Sequence, residues 1–203
     1  DNRYFAHADG TPFFWMGDTA WNGPLRADDE SWATYLDVRR RQGFNVVQWV
    51  ATQWRAASKG DNHGSLAFTG REQIALNPAF FQRLDRKIQM MNQAGFLSVP
   101  VLLWAHKGKN ENANHLNPGF DLPEDQAVIL ARYMTARWGA DHNVWILAGD
   151  GDYDIADVAA RWKRIGRAVF DGKPHLPVTI HPISVQWTQT QFEDEIWFDF
   201  ISY

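Results

Sequence analysis

The sequence contains no cysteine, which excludes disulfides, thiolate metal sites and a thiol nucleophile. It has no run of about 18 apolar residues, so no segment is expected to span a membrane. Lys and Arg form no block and the net charge is −4. Attraction to nucleic acid or to an anionic membrane surface is therefore not expected. Several short catalytic motifs are also missing. There is no GxGxxG, no P-loop, no GxSxG elbow, and neither HxH nor HExxH among the histidines. Phosphate-cradling loops, an activated serine and a histidine-based metal centre lose their support, and neither a metal nor an organic cofactor is expected.

What the chain has in excess is tryptophan, eleven in 203 residues. An indole packs well against sugar C–H surfaces, but most Trp in a domain this size serve the core. The enrichment points to a carbohydrate ligand only weakly. The length suits one domain with a large core, and 45% apolar with 22% charged residues is ordinary for a globular protein.

The hydrophobic pattern alternates between strand and helix. GTPFFWMGD reads as a first strand and FNVVQWVA as a second, followed by FLSVPVLLW, NVWILAG, LPVTIH and IWFDFISY. Between them lie amphipathic helices. Asp28 is expected to cap one carrying Trp32, Tyr35 and Leu36, and Asn77-Pro78 to open one carrying Phe81, Leu84, Ile88 and Met91. Ala127, Ala131, Met134 and Trp138 share a third stripe. Asp154 is expected to cap a fourth helix with Val158, Trp162, Ile165 and Val169, and a short helix fits between residues 182 and 195. Almost wholly apolar strands separated by such helices imply an α/β fold with a covered parallel sheet. Helix-to-strand connections are short, whereas strand-to-helix connections are long and polar. That asymmetry favours a (β/α)8 TIM barrel, whose active site is built from the loops after the strands. Only about six β/α units are visible, and an open arc would expose apolar edges. Residues 1–203 are expected to be a catalytic barrel domain incomplete at its C-terminal end, with strands seven and eight missing. A six-stranded open sheet is the alternative.

Five residues stand at or near strand ends: Asp18, Gln48, Trp104, Asp150 and His181. Each has an ordinary reading. Asp18 can end a strand as a turn former, and Gln48 can satisfy its amide on neighbouring strands. Trp104 can cap the barrel, and His181 can be a satisfied structural histidine. Their convergence on the catalytic end of a barrel carries more weight than any one of them. With serine, cysteine and metal chemistry unsupported, carboxylate chemistry remains. Glycoside hydrolysis is the main reaction run by paired carboxylates in a Trp-rich cleft.

The segments DGTPFFWMGDTAW, YLDVRRRQGFNVVQ, NVWILAGD, IHP and WFDFISY resemble the apiosidase-like glycoside hydrolases, in order and through essentially the whole chain. GDTAW and RxxGFNVVQ are the most specific parts. Ala148 stands where the family commonly has glycine. The resemblance implies a barrel whose fourth strand carries the acid/base, here Asp150, and whose seventh carries a nucleophilic Glu downstream of residue 203. It implies a substrate-binding role for Asp18 and a site role for His181 after strand five; Trp21, Gln48 and Trp104 are placed with them as substrate-binding. It also implies export to the periplasm or beyond, a retaining outcome, and plant glycans as substrate, apiose-containing pectic side chains among them. Asp152 and Asp154 are rivals for the acid, the first expected as solvated loop and the second as a cap. A non-catalytic carbohydrate-binding relative and, more remotely, a metal-dependent barrel hydrolase are the other readings.

Overall fold

The computed structural model describes residues 4–107 and 116–202. Five strands form one parallel sheet in which sequence neighbours are also spatial neighbours. They are β1 (Gly17–Thr19), β2 (Val46–Val50), β3 (Leu97–Trp104), β4 (Trp145–Gly149) and β5 (Val178–Thr179). Four long helices connect them in order: α1 (Asp29–Arg41), α2 (Pro78–Gln93), α3 (Glu124–Trp138) and α4 (Ala156–Phe170). Every step is a β/α unit with its helix on the outside, the arrangement of a (β/α)8 barrel.

Local chemistry explains where the helices begin. Asp28 accepts the amide of Ser31 at 2.7 Å and opens α1, and Asn77 accepts that of Phe80 ahead of Pro78 in α2. Both match the sequence reading. Gly43 and Gly95, with φ of 87° and 86°, turn the chain out of α1 and α2 into short connections. The expected apolar stripes all face the sheet. Trp49 points outward against Trp138 and donates its indole N–H to Ser98 Oγ at 3.0 Å. Trp138 donates to Asp85 at 2.7 Å, and Arg137 grips the same carboxylate, so α2 and α3 are joined by a satisfied polar cluster.

Three expectations need correction. The first strand is shorter than GTPFFWMGD, because Pro12 pairs with Ala6 in a turn and Phe14 is exposed. Asp154 does not cap α4: Ile155 holds that position, and the Asp154 carboxylate accepts from Gln191 Nε2 at 3.0 Å instead. The sixth apolar run is not a strand among the described residues, and its last residue, Tyr203, lies outside them. It does run beside β5, where Asp199 N donates to Val178 O at 2.9 Å. The reciprocal bond goes from Val178 N to the Asp199 side chain at 2.8 Å, and Thr179 Oγ1 donates to Phe200 O at 2.6 Å. Side-chain bonds have replaced the ladder.

The loop asymmetry holds around β2 and β3 but not after β4, where residues 150–155 are no longer than the 171–177 connection that follows α4. Residues 51–77 and 105–123 follow β2 and β3, whereas 42–45, 94–96 and 139–144 precede β2, β3 and β4. The first of the long loops carries a 3-10 turn at Arg55–Ala57 and a small antiparallel ribbon, Phe68–Thr69 with Ala75–Leu76. No helix among the described residues is long and apolar enough to cross a membrane.

Candidate active site

Asp150 follows the last residue of β4 and has φ of 55°, the single non-glycine residue with positive φ among those described. Aspartate tolerates this region better than most side chains, but a strained backbone beside a strand end persists only where its surroundings enforce it. They do so here through two glycines. A Cβ on Gly149 would lie 2.7 Å from Val101 Cγ1 and 2.9 Å from Trp104 Cε3, and one on Gly151 would enter the Tyr153 ring at 2.3 Å. The turn is therefore packed tightly on both sides, with Ile183 N bonded to Gly151 O at 3.0 Å from the loop after β5.

Around the carboxylate the structure gathers groups from four loops. His181, after β5, places Nε2 3.6 Å from Asp150 Oδ1. Arg55, in the 3-10 turn after β2, places Nη2 3.8 Å from Oδ2. Trp21 lies 6.0 Å from the His181 ring and 5.6 Å from Trp104, measured between centroids. Trp54 packs on Trp104 at 4.3 Å, and Arg55 sits over both indoles at 5.7 and 5.5 Å. Asn22 anchors the assembly from beneath, accepting the Trp54 N–H at 2.6 Å.

Burial is the largest influence on Asp150 and pushes its pKa up from the ordinary value; His181, Arg55 and His106, in that order, pull it back. Burial likewise pushes His181 down, opposed by Asp150. The result is an acid that holds its proton longer than a free aspartate, next to a histidine that tends to be neutral. Two buried polar atoms, Trp104 Nε1 and His181 Nδ1, have no hydrogen-bond partner among the described residues. A buried polar atom without a partner is costly, so this cluster is under-satisfied.

Four of the expected residues, Asp150, His181, Trp104 and Trp21, meet in one place. Gln48 alternates with the outward-facing Trp49 and so faces the inner side of the sheet; it is half-buried, and its amide has no partner among the described residues. Asp18 departs from expectation. It stands opposite Val47 in the register and shares its outward face, where Oδ2 accepts from Tyr35 at 2.7 Å and pairs with Arg39, both on α1. Oδ1 takes the amide of Thr19. This carboxylate ties α1 to β1 rather than lining the cleft. Asp152 is also engaged, accepting from Gln186 Nε2 at 2.9 Å. Arg55 and Trp54 were not legible as site residues because they belong to a loop and not to a strand end. A cavity of about 710 Å³ lined by Tyr4, Phe5, Phe198 and Phe200 lies elsewhere, with none of the Asp150 cluster in its walls. The groups acting electrostatically on Asp150 are all basic.

Comparison with known proteins agrees with this fold. Residues 1–203 match the family described as "Apiosidase-like, catalytic domain". The fold superposes on a solved structure described as a glycoside hydrolase with a TM-score of 0.78 and 23% identity, covering 98% of this chain and 43% of that one. A family 5 glycoside hydrolase from Bacteroides vulgatus gives 0.78 and 22%, covering 98% and 42%. An exo-beta-1,4-mannosidase from an Opitutaceae bacterium gives 0.58 and 19%, covering 88% and 34%. The chain thus spans less than half the length of these structures. No curated protein sequence matches it.

Proposed function

The chain belongs to the apiosidase-like catalytic-domain family, and from that premise we propose that it carries the acid/base half of a glycoside hydrolase active site. Asp150 protonates the departing glycosidic oxygen. A second carboxylate, from a strand outside residues 1–203, attacks the anomeric carbon as nucleophile, and the bond is cleaved with retention. Trp21 and Trp104 form the aromatic floor against which a sugar ring packs, and His181 holds one Asp150 oxygen in place. The substrate is a plant-type glycan, with apiose-bearing pectic side chains the first candidate, and the protein works outside the cytoplasm.

The observation that carries this reading is Asp150 itself. It is a half-buried carboxylate with a raised proton affinity, held in a strained turn at the end of a barrel strand, and faced by Arg55 and His181, which themselves rest against indoles. Burial raises the proton affinity of the acid above that of a free aspartate, which is the direction a general acid needs. The test is sugar release by the full-length enzyme from pectic oligosaccharides, compared with other plant glycans. Wild type is expected to release a pentose from the pectic set, and Asp150→Asn to lose roughly 10²- to 10⁴-fold in rate. Equal release by both proteins would overturn the assignment of Asp150, and release only from other glycans would overturn the substrate.

A further inference from the structure

Granted that Asp150 is the acid/base, we propose that Arg55 is its positioning residue, stabilising the carboxylate that Asp150 becomes when it gives up its proton. The two oxygens of Asp150 face two different basic side chains, His181 at 3.6 Å and Arg55 at 3.8 Å. These are not equivalent. His181 Nδ1 is buried without a partner among the described residues, so a proton placed there would have no acceptor. The ring is best satisfied neutral, its one proton on Nε2 facing Asp150. It offers a dipole. Arg55 offers a full positive charge.

The guanidinium is also placed deliberately. It rests on the faces of Trp54 and Trp104, and its own backbone amide donates to Asn117 Oδ1 at 2.8 Å. Its side chain makes no hydrogen bond among the described residues. Tight guanidinium–carboxylate pairs elsewhere in the protein close further, Arg137 reaching Asp85 at 2.6 Å and Arg167 reaching Glu195 at 2.7 Å. A guanidinium in that kind of contact would hold Asp150 permanently as a carboxylate. With no cation at all, a buried carboxylate would be strongly disfavoured. A cation standing off at 3.8 Å allows both states. His106, after β3, adds the smallest of the three basic pulls on Asp150, and the buried Tyr153 phenol senses the same charge from the following turn.

In the step concerned, the glycosidic C–O bond breaks with its electron pair going to the leaving oxygen. The Asp150 O–H bond breaks and its proton goes to that oxygen, while the partner carboxylate forms the new bond to the anomeric carbon. Asp150 ends as an anion next to Arg55.

The test is the pH dependence of kcat/KM for the full-length enzyme carrying Arg55→Met, Arg55→Gln or Arg55→Lys. The basic limb reports loss of the proton from Asp150. Without the cation Asp150 binds its proton more tightly, so for Met and Gln the limb should move to higher pH, by roughly one unit. Arg55→Lys, which keeps the charge, should stay closer to wild type. Two uncharged variants are used so that misfolding of one, seen by circular dichroism, leaves the other to decide. A limb that coincides with wild type overturns the proposal, as does an equal shift in the Lys variant. A uniform loss of rate with the limb unmoved would mark Arg55 as a merely structural contact and overturn it too. Asp150→Asn in the same assay separates the two readings: if it retains full activity on a poor leaving group, the role of Asp150 itself fails.

Discussion

His181 is a histidine whose neutral form is favoured by the fold. Burial lowers its proton affinity from the ordinary value near 6.5, so below that pH the unfolded chain binds a proton that the native chain resists. Stability therefore falls as pH drops through 6.5 and is fully retained above it. Thermal unfolding of wild type and His181→Gln between pH 5 and pH 8 checks this. The melting temperature of the variant should depend less steeply on pH below 6.5; identical slopes would contradict the burial argument. Gly149 gives a second residue-scale outcome. A methyl group there meets Val101 and the Trp104 ring below 3 Å, so Gly149→Ala should destabilise by roughly 1–3 kcal/mol in denaturant unfolding. It should also displace Trp104 and lower activity. The methyl that this chain does carry, on the preceding Ala148, is buried in the core and tolerated.

At the scale of elements, two aspartates that look alike in the sequence behave differently. Asp28 caps α1, whereas Asp154 bonds to Gln191 and leaves α4 uncapped by a side chain. Asp28→Ala should lower the melting temperature by roughly 2–4 °C, and Asp154→Ala should change it by less. Equal losses would restore the sequence expectation for Asp154. The helices and the order of strands were legible because apolar periodicity is set by burial on one face. The end of β1 was not. Asp18 reads in the sequence as a strand terminus, as an active-site residue would, but it is the middle residue of the short β1, which turns it toward Tyr35 and Arg39 of α1. The run 196–203 is apolar enough for a strand, yet Asp199 and Thr179 form side-chain bonds where the ladder would be. Periodicity carries no information about such substitutions.

The whole molecule shows why the site was partly readable. A barrel places its working residues after the strands, so Asp150, Trp104 and His181 could be found by asking what stands at strand ends. Trp54 and Arg55 lie in the loop that follows β2, where position along the chain does not reveal position in space. The packing of Trp54 on Trp104 at 4.3 Å, with the bonds of Trp54 to Asn22 and of the Arg55 amide to Asn117, brings that loop over the cleft. Tryptophan number was likewise ambiguous in sequence and is now divided. Trp32, Trp49, Trp138, Trp145, Trp162 and Trp197 are buried and structural, while Trp21, Trp54 and Trp104 pack together beside His181 and Arg55. Trp15, against Phe200, and the exposed Trp187 belong to neither group. The division makes Trp21→Ala the sharper probe of sugar binding. It should raise KM more than it lowers kcat, by an amount of about tenfold for one stacked ring; an unchanged KM would place the sugar elsewhere.

The most direct measurement of the central claim is the leaving-group dependence of Asp150→Asn. Asparagine keeps the size of the side chain and tolerates positive φ, so the substitution removes the proton donor and little else. With an activated aryl glycoside, whose leaving oxygen needs no proton, kcat/KM of the variant should stay near that of wild type. With an alkyl or sugar leaving group it should fall by roughly 10²- to 10⁴-fold. A loss of the same size on both substrates, or on neither, would contradict the assignment of Asp150 as the general acid.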